Sequence, residues 1–409
     1  MKTRRSLRTG PRLALLLALV LFLGLTTAGV PETKTTRFTE HLIKGGYAYS
    51  FGIAAADLNG DGHIDLTSAD ALPHNRLYWF ENDGKGNFTQ HLIEKSYPER
   101  LERHAIGDIN GDGKPDVVII ENLRGDVLWY KNNGHPAKDD GWQRFTITRG
   151  TIPGAYDVAL ADLNADGHVD VAASTWRLSN KFVWFENPGD GEKSQPWKMQ
   201  VIEENIAETR TIRAGDFNGD GKPDLLGTAR AAHQVVWYEN PGKAGQSWKK
   251  HIVDGKSPQP THGHPVDMDG DGDLDVVLAS GIAAGDERPG EVVWYENNGT
   301  PRDGKPWKKH VICSPFDQGF EAVAADLDGD GDQDVVATAW GGAGRVVWFE
   351  NCPGSSHPWR MHVLKRGWAM ANQVIVADLN GDRRPDIAAI AERGALEFRW
   401  WRNEGRGGE

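Results

Sequence analysis

A nine-residue acidic loop of pattern D-x-[D/N]-x-D-x-x-x-D recurs seven times, starting at Asp57, Asp108, Asp162, Asp216, Asp267, Asp326 and Asp378. Oxygen-bearing side chains at positions one, three, five and nine, with a backbone carbonyl at seven, are how a short loop wraps ligands around a hard cation such as Ca²⁺. The first four sets are Asp57, Asn59, Asp61 and Asp65; Asp108, Asn110, Asp112 and Asp116; Asp162, Asn164, Asp166 and Asp170; and Asp216, Asn218, Asp220 and Asp224. The fifth and sixth loops carry Asp at all four places: Asp267, Asp269, Asp271 and Asp275, then Asp326, Asp328, Asp330 and Asp334. Their extra negative charge predicts the tightest binding. The seventh set, Asp378, Asn380, Asp382 and Asp386, has Arg383 at position six, where Gly normally permits a sharp turn with positive φ. Five to seven Ca²⁺ ions are therefore expected, with the seventh loop outside the common pattern.

A second chemistry-bearing set lies five residues before each loop: Gly52, Arg103, Asp157, Thr211, His262, Glu321 and Gln373. Tyr156, Arg210, Arg213 and His264 lie beside these positions. His, Arg, Tyr and acid around a concave opening suit abstraction of a sugar proton next to a carbonyl or uronate, with Arg neutralising the developing charge. His262 and His264, with His104 or Glu321, could equally hold Zn²⁺. Polar residues that merely line a wet channel would give the same pattern.

The elements that must position these groups follow from the rest of the repeat. Each loop leads into an apolar β-branched run and then a W-[Y/F]-x-N signature, as in Trp79-Phe80-Glu81-Asn82 and, for the last, Trp400-Trp401-Arg402-Asn403. A Gly/Pro/Asn-rich turn and a further strand such as Trp248–Val253 complete a unit of 51 to 59 residues. Four short strands per unit make a propeller blade. Phe38–Ile43 precedes the first loop, and the last unit ends at Asn403 without its outer strand. The N-terminal strand is therefore expected to complete blade seven and remove an open edge. The prediction is an all-β, seven-bladed propeller over 37–403, after an export signal at 1–28 and a linker at 29–36, with 404–409 a disordered tail.

In such a blade the acidic loop joins strands one and two, so the start of strand one and the end of strand two emerge on the opposite face. Of the 16 Trp residues, all but Trp176, Trp340 and Trp368 occupy repeat positions that pack blades together. Trp176 and Trp340 stand six residues past the last Asp of their loops, and Trp368 lies in the connection entering blade seven. Aromatics on an exposed rim suit sugar stacking, which makes these three, with Arg103 and Asp157, the ligand-binding candidates. Extra packing under long connections is the competing reading.

The loops and flanking apolar strands resemble the FG-GAP, or VCBS, repeats of integrin α-subunit-type seven-bladed propellers, over roughly residues 37–403. That resemblance implies Ca²⁺ in the inner loops and says little about function. The W-[Y/F]-x-N-P-G turn with its W-x-x-H strand is also similar to the propeller portion of fungal aldos-2-ulose dehydratases and, more distantly, of polysaccharide lyases. These likenesses rest on repeat positions and carry no catalytic residues across.

Residues 1–28 combine a basic start with an uncharged apolar run, Leu13–Leu25, and small residues suited to signal peptidase, so a secreted, periplasmic or extracellular location is expected. Removing them takes the formal charge from −12 to −17, and seven divalent ions would bring it to about −3. Acidity is thus explained by ligation, and nucleic acid is not an expected partner. No later segment is apolar enough to span a membrane, and a monomer is expected. Cys313 and Cys352 fall at opposite faces of the blades, which argues against a disulfide. Two functions remain open: recognition of an extracellular glycan or protein, and an eliminating enzyme of lyase or dehydratase type.

Overall fold

The computed structural model describes residues 35–407, apart from 72, 194 and 283–287. The export segment, and all of the linker before Thr35, lie outside the described residues. Among the described residues the chain forms 28 strands and no helix. The first blade is typical, with strands Ser50–Ala56, Asp65–Asp70, Arg76–Asn82 and Phe88–Glu94 in spatial order from inside to outside. Five units are separate four-stranded sheets, and the other two join through one parallel pairing, His262 with Glu321, into an eight-stranded sheet. The 28 strands therefore make seven four-stranded units.

Second strands such as Asp116–Glu121 are buried along their whole length, because neighbouring blades cover both of their faces. That is why they read as unbroken β-branched runs. The signature Trp packs against the outer strand: Trp79 stacks on His91 with centroids 4.5 Å apart, Trp237 on His251 at 4.1 Å and Trp348 on His362 at 4.3 Å. Closure follows the same rule. Thr36–Gly45 pairs antiparallel with Glu397–Arg406, and His41 stacks on Trp400 at 4.8 Å. The N-terminal strand is thus the outer strand of the last blade, as its sequence predicts. One expectation needs correction: residues 404–406 are not a disordered tail but the end of that long strand, held by Thr36 opposite Arg406.

The signature Asn ties each blade to the one before. Asn132 donates from Nδ2 to the Leu58 carbonyl at 2.7 Å, in the acidic loop of the preceding blade, and Asn82 reaches Leu379 at 2.8 Å across the closure. Asn187, Asn240, Asn297 and Asn403 repeat the bond. The Asn oxygen in turn accepts the N–H of a Gly two residues on, for example Gly134 at 2.9 Å. Blade six is different because Pro353 stands at that Gly position and has no N–H, and among the described residues the Asn351 side chain bonds within its own blade, to the Gln333 carbonyl at 3.2 Å.

Candidate functional site

All seven acidic loops lie between the innermost and second strands. In the first, Asp57 gathers the N–H groups of Gly60, Asp61 and Gly62 at 2.8, 3.1 and 2.8 Å. The seventh does the same, with Gly381, Asp382 and Arg383 donating to Asp378 at 2.8, 3.2 and 2.7 Å. Arg383 takes a φ of 68°, so the missing Gly at position six does not change the loop. Each position-nine Asp accepts the N–H of the signature Asn and of the position-two residue, as Asp65 does from Asn82 at 2.8 Å and Leu58 at 3.0 Å. These carboxylates are fully buried, and burial pushes Asp65 up to about 6 and Asp116, Asp224, Asp275 and Asp386 up to about 7. A bound cation would supply the missing counter-charge. Ligand atoms of Asp267, Asp269 and Asp275, and of Asp326, Asp328 and Asp334, converge within 4.8 Å of one another, in the two loops richest in Asp. Arg406 reaches Asp328 and Asp330 at 2.5 and 3.0 Å, so loop six shares its carboxylates with a guanidinium.

At the other end of the strands opens a cavity of about 550 Å³. Its position follows from a register shift in every innermost strand, between Phe51 and Ile53 in blade one, Ala155 and Asp157 in blade three, and at equivalent places in the others. The shift turns residues six before the loop into the cavity, namely Phe51, Tyr156, Arg210 and Phe320. Second-strand ends add Trp176, Arg230, Trp340 and Glu392, all six residues past the last loop Asp. Trp340 donates from Nε1 to Glu392 at 2.8 Å. The Arg210 guanidinium lies 4.6 Å from both the Tyr156 and the Trp176 ring centroids.

Beneath the cavity the residues five before the loop, with Arg213 and His264 beside them, form a polar plug. Arg103 donates to Glu321 at 3.0 and 3.4 Å, Arg213 to Asp157 at 2.5 Å, and His264 Nε2 lies 2.9 Å from Glu321. Glu321 is desolvated, which alone would raise its pKa, but Arg103 foremost, with His264 and Arg213, holds it down at about 2. His262 is engaged through both ring nitrogens: Nδ1 lies 3.0 Å from Thr211 Oγ1, which is also 3.1 Å from the Thr261 carbonyl, and Nε2 lies 3.2 Å from the Tyr156 hydroxyl. Burial, and then the Arg103 charge, holds its pKa well below the ordinary histidine range.

Against this geometry, the FG-GAP-like repeat family matches in six overlapping stretches, residues 57–117, 108–173, 162–227, 216–278, 267–337 and 326–389. The chain belongs to this family. Comparison with curated proteins gave no match. Among solved structures, BBS1N in complex with ARL6DN, soaked with lead, is 12% identical with a TM-score of 0.54, covering 88% of this chain and 95% of that one. The mercury-soaked form of that complex gives 12% and 0.52, covering 90% and 97%. At that identity the likeness is one of fold alone.

The FG-GAP-like framework brings together some predicted residues and separates others. Tyr156, Arg210, Trp176 and Trp340 share the cavity. Arg103, Asp157, Arg213, His264 and Glu321 belong to the plug, consumed by one another rather than facing a ligand. His104 is elsewhere, bonded through Nε2 to Thr67 Oγ1 at 2.7 Å, and burial holds it at about 4. Trp368 is no rim residue: it is 2% exposed, packs edge-on to Trp401 at 5.7 Å and donates to Glu397. The residues considered for Zn²⁺ are each engaged with protein partners, His104 with Thr67 and His264 with Glu321. Both ring nitrogens of His262 are spent, and the described acid and His side chains that converge are those of loops five and six. Sequence reasoning missed Arg100, Arg177, Arg230 and Arg393, which also line the cavity of this FG-GAP-like propeller. Arg230 and Glu392 share the place of Trp176 and Trp340 in the repeat, which was the available signal. Cys313 and Cys352 are free, as their opposite faces imply.

Proposed function

We propose that this chain is an exported, Ca²⁺-binding β-propeller that recognises a carbohydrate or protein ligand in the cavity opposite its acidic loops. The observation that carries the reading is the pair Trp176 and Trp340, which sit at one repeat position in two blades and wall the same cavity. Apolar and aromatic walls with a few directed polar groups are what small-ligand sites use. Calcium is supported by seven loops of one geometry and by their buried position-nine carboxylates. Export is supported by the basic and apolar character of residues 1–28. No helix among the described residues is long and apolar enough to cross a membrane. A protein ligand stays in view because a propeller of related fold, BBS1N, was solved in complex with ARL6DN. Trp176→Ala and Trp340→Ala, screened against glycan and protein arrays, should retain the fold and lose binding. Loss of the fold, or unchanged binding, overturns the reading.

An eliminating activity is the second reading, favoured by Tyr156 at the cavity wall. Burial raises the pKa of its phenol, which hydrogen-bonds His262 Nε2 at 3.2 Å, and Arg210 lies alongside to take up developing negative charge. Ultraviolet absorbance of unsaturated products from uronate polysaccharides or keto-sugars, abolished by Tyr156→Phe, would establish it.

A further inference from the structure

The cavity is electropositive within an acidic chain. Five arginines line it, Arg100, Arg177, Arg210, Arg230 and Arg393. Three carboxylates answer them: Glu102 pairs with Arg100, Glu208 with both Arg177 and Arg230, and Glu392 with Arg393. Among the described residues that leaves an excess of two positive charges, in a protein whose formal net charge is −12.

Among the described residues, Arg210 is the cavity arginine that no carboxylate pairs with. It is 6% exposed, it makes no ion pair among the described residues, and its Nε has no hydrogen bond. Glu102 and Glu208 act on it only at longer range, each being already committed to another arginine. The Tyr156 and Trp176 faces hold it in place, and neither supplies a negative charge. The Trp176 indole Nε1 beside it is also buried without a partner. Burying a charge without a counter-ion is costly, so the arrangement is one half of a pair. A planar guanidinium fork suits a carboxylate, and the aromatic walls suit the apolar face of a sugar ring.

Building on the recognition reading, we infer that the cavity binds an acidic saccharide whose anionic group pairs with Arg210 while its ring packs against the indoles of Trp176 and Trp340. Carboxylated and sulfated sugars share this chemistry, and the geometry of the fork favours the carboxylate.

Calorimetric titration of the Ca²⁺-loaded protein with oligogalacturonate, its methyl ester, a sulfated oligosaccharide and a neutral one of equal length tests this. The expected result is binding of the oligogalacturonate, at least tenfold weakening by methyl esterification, and affinity that falls with added salt. Arg210→Met should weaken it at least tenfold while leaving the melting temperature unchanged or higher, since a buried unpaired charge is removed. The ester and salt comparisons need no variant. Equal affinity for neutral and acidic sugars, indifferent to salt, overturns the anionic pairing while the recognition reading stands. Preference for the sulfated sugar overturns the carboxylate assignment. Protein binding with no saccharide bound overturns the inference and keeps the wider reading. If no ligand binds at all, both fall.

Discussion

The blade-to-blade bond of the signature Asn gives a comparison with its own internal control. Asn132 is fully buried and makes three side-chain hydrogen bonds: to Leu58 O at 2.7 Å, to Pro115 O at 3.2 Å and from Gly134 N at 2.9 Å. Replacing it with Ala removes all three and strands the two carbonyls away from water. With each bond worth roughly 0.5–1.5 kcal/mol net and a stranded buried carbonyl costing about 1–3 kcal/mol, Asn132→Ala should destabilise by about 3 kcal/mol. Asn351 is the same residue in the repeat, but among the described residues it has one such bond, because Pro353 lacks the N–H that Gly134 offers and no cross-blade carbonyl is reached. Asn351→Ala should therefore cost only about 1 kcal/mol. Urea unfolding in excess Ca²⁺, followed by tryptophan fluorescence, measures both, and the difference of about 2 kcal/mol is the quantity to compare. Equal losses, or a larger loss for Asn351→Ala, would refute the claim that the signature Asn acts between blades.

Three further outcomes are expected. Chelation should lower the melting temperature, because ions bound selectively to the folded loops stabilise it by mass action; an unchanged value removes Ca²⁺ from the account. Burial lowers the His104 imidazole from its ordinary value to about 4, so the unfolded chain binds a proton there that the folded one does not. Its contribution is present above pH 6.5 and lost as pH falls toward 4, and His104→Gln should flatten the acid slope of the unfolding midpoint in that window; an unchanged slope contradicts it. Trp368→Ala should destabilise by roughly 3–5 kcal/mol as a buried Trp lost from a packed core, whereas Trp176→Ala and Trp340→Ala should cost much less, and equal denaturation midpoints for the three would return the rim residues to the core.

What was legible in the sequence was whatever the repeat demands locally. The acidic loops, the apolar β-branched runs after them and the W-[Y/F]-x-N signature each depend on near neighbours in a repeated frame, so spacing alone exposes them. Closure was legible for the same reason, since one strand was missing at one end of the chain and present at the other. Tertiary structure alone decided the site. The register shift in the innermost strands exchanges the roles of adjacent residues, so Arg210 and Tyr156 face the cavity while Asp157, Arg103 and Glu321 close the channel beneath it. Pairing is decided between blades far apart in sequence, such as Arg103 with Glu321. That is why a side chain's type could be read from the chain, but whether it was already satisfied could not.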